Sequence, residues 1–211
     1  MISLENYLQN PCATLSIPCW KTKSITIPDS MKILHEKDFS ENLLADYNDD
    51  LYFRLFHPME DLNEVKVSGY EIVTALTADI DTIVSVINKS YEDLQVSVEQ
   101  IQSYTQTPVF HPDLWILVIE SATGKCVGCG IADFDSEAEE LILEWIQVLP
   151  EYRGRSIGTA IVKEILWRGR EYAKFATVSG KVENETKPEA LYRKCGFTGN
   201  DVWHVLHKRV K

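Results

Sequence analysis

Hydrophobic and polar positions along the chain follow two regimes that change near residue 65. Before that point Pro11, Pro18, Pro28 and Pro58 interrupt the pattern, and no long helical period develops. There, Ser3 to Gln9 predicts a short helix stopped by Pro11, Ser24 to Ile27 and Leu51 to Phe56 predict short strands, and Asp46 to Asp50 predicts a polar turn. From about Val65 the pattern becomes regular. A strand is expected at Tyr70 to Leu76, then a helix on Ile80, Ile83, Val84, Ile87 and Tyr91, then a second short helix opened by Ser97 with Gln100 and carrying Ile101 and Tyr104. Apolar runs at Leu114 to Ile119, Cys126 to Phe134 and Leu141 to Val148 are separated by a Thr123-Gly124 turn and by the polar segment Asp135 to Glu140, which predicts an antiparallel meander. A helix from about Ser156 to Tyr172 rests on Ile157, Ile161, Ile165 and Tyr172, and a strand follows at Phe175 to Ser179. The last helix, Thr186 to Lys194, has a Thr186 and Glu189 capping box, Pro188 in its first turn and Gly196 placed to turn left-handed beyond its end. A final strand covers Val202 to His207. The expected fold is mixed α/β, a mostly antiparallel sheet flanked by helices in residues 67–211, with an N-terminal extension, residues 1–66, packing on it.

Composition narrows the function classes. Of 211 residues, 45% are hydrophobic and 25% charged, enough to bury a core and incompatible with a disordered chain. Lys and Arg number 21 against 32 Asp and Glu, a net charge of −11 that repels polyphosphate strands, so no nucleic acid is expected as partner. The start of the chain lacks a basic region followed by an apolar one, and the longest apolar run, Leu114 to Ile119, is far too short to span a bilayer. No membrane partner is expected. Five unclustered cysteines do not make a disulfide framework, which points to a reducing, cytoplasmic compartment.

The segment Leu149-Pro150-Glu151-Tyr152-Arg153-Gly154-Arg155-Ser156-Ile157-Gly158-Thr159-Ala160 joins an apolar strand to an amphipathic helix. Consecutive N–H groups at such a helix start, aided by the helix dipole, cradle phosphate oxygens, and Arg153 and Arg155 add local positive charge. An ordinary strand-to-helix turn with solvated arginines is the plain alternative. On the preceding strand, simple alternation places Ile142, Glu144, Ile146 and Val148 on one face, so Glu144 is a carboxylate in an apolar row. A group so placed suits a general base; a structural carboxylate paired with a basic neighbour is the other reading.

Beyond Gly158, with its tyrosine 34 residues on, Leu191-Tyr192-Arg193-Lys194-Cys195-Gly196-Phe197 closes a short helix and enters the last strand. With this second motif the chain resembles the GCN5-related N-acetyltransferase (GNAT) family, whose acetyl-CoA loop reads Q/R-x-x-G-x-G/A and is matched here by Arg153, Ser156 and Gly158. Ser156 departs from the usual glycine, and a helical backbone is expected for it. The order of elements over residues 67–211 also matches. The resemblance implies acetyl-CoA as cosubstrate, with its pantetheine arm along Ile146 to Val148, the Val148 N–H at the thioester oxygen, and the pyrophosphate on the N–H groups of Arg153, Gly154, Arg155, Ser156, Ile157, Gly158 and Thr159. It further implies Glu144 as general base, Tyr192 beside the CoA sulfur as cofactor contact and acid, and Asn184 as a CoA contact; a core tyrosine is the plain alternative for Tyr192.

Other signals weigh less. Cys126-Val127-Gly128-Cys129 is formally a CxxC, but alternation on a strand puts residues three apart on opposite faces and no second pair follows, so no metal is expected. His204 and His207 are expected on opposite faces of the last strand as independent surface residues. His57 and His111 each precede a proline, at 58 and at 112, and are expected in loops, either as ordinary loop residues or lining the substrate side. The acidic run Asp133, Asp135, Glu137, Glu139 and Glu140 reads as a solvated turn, or as a field attracting a cationic amine. The expected activity is acetyl-CoA-dependent N-acetylation of a primary amine by direct attack on the thioester. A non-catalytic acyl-CoA sensor and a protein lysine or N-terminal acetyltransferase are the alternatives. The acceptor, a small-molecule amine or a protein amine, carries no motif, and a homodimer is left open.

Overall fold

The computed structural model describes residues 2–91 and 94–209. Among them the chain forms α1 (Leu4–Gln9), α2 (Pro11–Thr14), β1 (Met31–His35), β2 (Tyr47–His57), β3 (Tyr70–Thr74), α3 (Ile80–Ser90), α4 (Val98–Tyr104), β4 (Phe110–Glu120), β5 (Cys126–Asp135), β6 (Glu140–Val148), α5 (Ile157–Gly169), β7 (Phe175–Lys181), α6 (Pro188–Lys194) and β8 (Thr198–Lys208). The result is a mixed α/β fold whose strands are mostly antiparallel, as the pattern predicts. The chain divides into two compact units, one of residues 1–57 with 177–211 and one of residues 58–176.

In the unit 58–176 the strands run β6-β5-β4-β3, each antiparallel to its neighbour. Helix α3 buries Ile80, Ile83, Val86 and Ile87 on one stripe, and with Ile101 of α4 these pack on Trp115, Leu117, Cys129 and Ile131 of the sheet. Ser97 caps α4 by accepting the Gln100 N–H at 3.1 Å, while the Gln100 side chain donates to Tyr104, so one half of the expected capping box is made. Helix α5 covers the other sheet face with Ile157, Ala160, Ile161, Ile165 and Leu166. Its close approach depends on two residues without side chains. A Cβ on Gly130 would lie 2.5 Å from Ile161 Cγ2, and one on Gly128 would lie 3.3 Å from Ile161 Cδ1.

In the other unit the order is β1-β8-β2-β7, so a strand from the C-terminal part of the chain lies between two from the N-terminal part. Met31 to His35 pair with His207 to Trp203, and Tyr47 to Arg54 pair with Lys208 to Asp201. Tyr7, Phe53, Leu55, Phe197 and Leu206 are fully or almost fully buried, and Trp203 Nε1 donates to the Cys12 carbonyl at 2.8 Å. The buried Arg54 guanidinium donates to Tyr7 Oη, Ser179 Oγ and Thr177 Oγ1 at 2.9, 3.0 and 3.2 Å.

Several local expectations are corrected. Residues 24–27 form no strand, and the strand lies instead at Met31–His35. Tyr47 to Asp50 belong to β2 and not to a turn, because β8 pairs with them and because Asp49 and Asp50 have cationic or imidazole partners in His204 and Lys181. Helix α6 opens on Lys187 in a left-handed conformation without a side-chain cap, since Thr186 is already held by Asn184 and Glu189 by Arg193. His57 and His111 lie in strands, and His57 is buried. His204 is buried too, with Nδ1 and Nε2 each 2.7 Å from a carboxylate, Asp49 and Glu36, and Phe39 stacked on its ring. Asp133, Asp135 and Glu140 of the acidic run are buried; Asp135 accepts the N–H groups of Glu137 and Ala138 and so builds the turn.

Candidate active site

The end of β6, the segment after it and the start of α5 form one continuous structure in the unit 58–176. Strand β6 is not regular. Ile131 pairs with Trp145 and Ala132 with Leu143, so Glu144 is the extra residue of a β-bulge. The bulge breaks the alternation assumed from sequence. Leu141, which a Cβ on Gly169 would strike, and Leu143 face α5; after Glu144, Ile146 and Val148 oppose Gly130 and Gly128 and face α5 again. Trp145 turns to the α3 side, where it meets Tyr91 edge-on, and Gln147 Nε2 donates to Tyr91 Oη at 2.8 Å. Ile142, which opposes Asp133, therefore lies on the other face from Ile146 and Val148, and the four-residue apolar row does not exist. Glu144 is half-buried at the one position where the strand changes its aim.

The Leu149 N–H bonds the Val127 carbonyl at 2.9 Å, so the Val148 N–H and carbonyl point away from β5. That carbonyl accepts Arg153 Nε at 3.2 Å, and the same guanidinium donates to the Ser90 carbonyl at the end of α3 at 2.8 Å. Arg155 lies over the Tyr152 ring, 4.8 Å from its centroid, and donates to the Glu151 carbonyl and Tyr70 Oη. Lys125 lies 5.0 Å from the same ring centroid and pairs with Glu151. The hydrogen-bond acceptors of both arginines are neutral, while the Glu120 carboxylate, bonded by Tyr152 Oη at 3.2 Å, also acts on Arg155.

Gly154 and Ser156 both have left-handed backbones, with φ of 78° and 62°. The helical conformation expected of Ser156 is not adopted; it is the residue before α5, and the left-handed requirement is the physical reason a glycine fits there so readily. The first bond into the helix is Ala160 N–H to Ser156 carbonyl, 3.1 Å, and the N–H groups of residues 154–158 make no backbone bond among the described residues. Ile146, Val148 and residues 153–159 are in this way brought together.

Tyr192 and Asn184 belong to the other unit. Tyr192 is buried on α6 between Phe53 and Phe197. Asn184 organises the turn before α6, its Oδ1 accepting from the Thr186 N–H and hydroxyl at 2.9 and 2.7 Å. The bulge, the Arg153 bridge, the Gln147 bond to Tyr91 and the approach of Lys125 leave no local signal in the sequence, whereas Tyr152 adjoins Arg153 and could have been read as part of the loop's surround.

The CxxC pair is also rearranged by a bulge. Gly128 opposes Val118 and Cys126 opposes Ile119, which leaves Val127 as the extra residue. Cys126 and Cys129 therefore pack against the same apolar cluster instead of opposite faces. Both thiols are free, and burial pushes both up from their ordinary range, so they behave as small core residues. Among the described residues no group of three or more His, Cys, Asp or Glu is arranged to hold a metal ion, and no helix is long and apolar enough to cross a membrane.

Residues 112–199 match the family model described as an acetyltransferase (GNAT) domain. Among curated proteins none matches significantly. Among solved structures, a GCN5-related N-acetyltransferase from Sphaerobacter thermophilus superposes with a TM-score of 0.69 at 18% identity, over 86% of this chain and 61% of that one. This chain thus spans about three fifths of that protein's length. An acetyltransferase of the GNAT family from Colwellia psychrerythraea gives 0.64 at 11% identity, over 90% and 69%. A GCN5-related N-acetyltransferase from Kribbella flavida gives 0.59 at 14%, over 86% and 68%. The likeness to these structures establishes the fold, and the match of residues 112–199 to the GNAT acetyltransferase domain supports acetyl transfer in general.

Proposed function

We propose that the protein transfers an acetyl group from acetyl-CoA to a primary amine by direct attack on the thioester. The observation that carries this reading is the run of backbone N–H groups at residues 154–158, unpaired with other backbone, with Arg153 and Arg155 beside it, both hydrogen-bonded to neutral acceptors. In an acidic protein that local field suits a pyrophosphate. Val148, whose N–H points away from β5, is the oxyanion donor. Glu144, set at the bulge of the same strand, takes the proton that leaves the amine when nitrogen bonds the carbonyl carbon. Tyr192 gives its proton to the thiolate as the carbon–sulfur bond breaks. The acceptor is a small-molecule or protein amine, and five cysteines outside any disulfide fit a reducing, cytoplasmic setting.

The test is acetyl-CoA consumption against a panel of amines, with Glu144→Gln alongside. The variant should lose roughly 10² to 10⁴ in kcat with acetyl-CoA binding unchanged. The deficit should narrow as pH approaches the acceptor's own value, about 10 for a lysine-like amine, where free amine needs no base. An unchanged pH-rate profile would remove Glu144 from the mechanism. Stabilisation by acetyl-CoA without turnover on any amine would favour the sensor over the enzyme.

A further inference from the structure

Helix α6 carries Tyr192, and the N-terminal strand β2 grips that helix at two points. Phe53 of β2, 2% exposed, lies with its ring 6.2 Å from that of Tyr192 and inclined by 56°. On the other side the ring occupies the space a side chain at position 180 would need, since a Cβ on Gly180 would sit 2.5 Å from Phe53 Cζ. The ring is therefore confined between β7 and Tyr192. Phe197 closes Tyr192 from a further side at 5.8 Å. His57, the last residue of β2, hydrogen-bonds the backbone of Cys195, the residue that caps α6. Its ring lies 5.1 Å from Phe197, and its Nε2 stands 2.7 Å from where a Cβ on Gly196 would be. Gly196 has φ of 98°, so glycine is required there both by the backbone and by the histidine.

The geometry points to Phe53 as a positioning residue for Tyr192, with His57 as a second anchor that fixes the end of the helix carrying it. This rests on Tyr192 acting as the acid. A phenol can protonate a leaving sulfur only from within hydrogen-bond reach and at a good angle, and a displacement of about 1 Å can cost up to 10²-fold. Phe53 and His57 both lie outside residues 112–199, the part matched to the family, so control of the acid comes from the N-terminal segment of this chain.

A double-mutant cycle tests this. Tyr192→Phe, Phe53→Leu and the double variant are compared by kcat and by KM for acetyl-CoA, with melting temperatures recorded for each. Phe53→Leu should lower kcat roughly tenfold with KM unchanged, and should have no further effect once Tyr192 is phenylalanine. Should Phe53→Leu fold poorly, His57→Leu, which removes the bond to Cys195 from a different place, goes through the same cycle with the same expectation. Equal slowing in both backgrounds overturns the positioning role and leaves the acid in place. A Tyr192→Phe enzyme that turns over at the wild-type rate removes the acid, and the positioning role with it.

Discussion

The two units build their sheets by opposite routes. In residues 58–176 the strands β3, β4, β5 and β6 pair with sequence neighbours or across two helices, whereas β1 and β2 pair with a strand more than a hundred residues away. Local pairing costs little loop-closure entropy and leaves marks in the sequence: turn residues between apolar runs and helical periods at fixed offsets. Distant pairing leaves almost none. The difference decides both which parts depend on one another and which parts can be read in advance.

The largest expected effect comes from removing residues 1–57. Strand β8 then loses both neighbours, and Tyr7, Phe53 and Leu55 leave the core around Phe197 and Leu206. The shortened chain should bind a hydrophobic dye, give collapsed amide dispersion for residues 177–209 and keep the signals of the meander. A native spectrum for β8 in the shortened chain would show that the two routes do not differ in dependence. Next comes Gly130→Ala, which tests the locally paired unit at its tightest point. With Ile161 Cγ2 at 2.5 Å and Ile165 Cδ1 at 2.9 Å from the new Cβ, α5 must lift, at a cost of about 1–3 kcal/mol in denaturant titration. A neutral result would mean that α5 packs more loosely than the sheet spacing implies.

The smallest effect is a slope. Burial holds the His57 pKa below its ordinary 6.5, against the opposing pull of its bond to Cys195. The unfolded chain therefore binds more protons than the folded one below about pH 6.5, and stability falls as the solution is acidified through that region. Stability from neutral His57 is fully present above pH 6.5 and is lost towards its lowered folded value. In His57→Leu this part of the acid slope should disappear while the rest remains. An identical slope would place the titration elsewhere.

The same contrast governs what could be read from residues alone. The meander, α3 and its stripe, and the left-handed Gly196 were legible because each has a local cause. Strand β1 was not, since Met31-Lys32-Ile33-Leu34-His35 has no pattern of its own and becomes a strand only against β8. Asn48, Asp49 and Asp50 look like a turn by composition, and only distant partners straighten them. At the site, the loop from Arg153 to Thr159 could be found from its small residues and arginines. The bulge at Glu144 could not, because an extra residue in one strand is defined by the register of another.

The placement of β8 between β1 and β2 has a consequence in time. Strand β8 begins about 140 residues after β2 ends, and ribosomes add roughly 5 to 20 residues per second. The two N-terminal strands thus wait roughly 7 to 30 seconds for the strand that joins them. Until β8 is made, the edges of β1 and β2 that face it have no final partner, and the meander has time to close first. Synthesis itself imposes an order: the locally paired unit matures while the other is still incomplete, and whatever shelters the early strands in the cell acts within that interval.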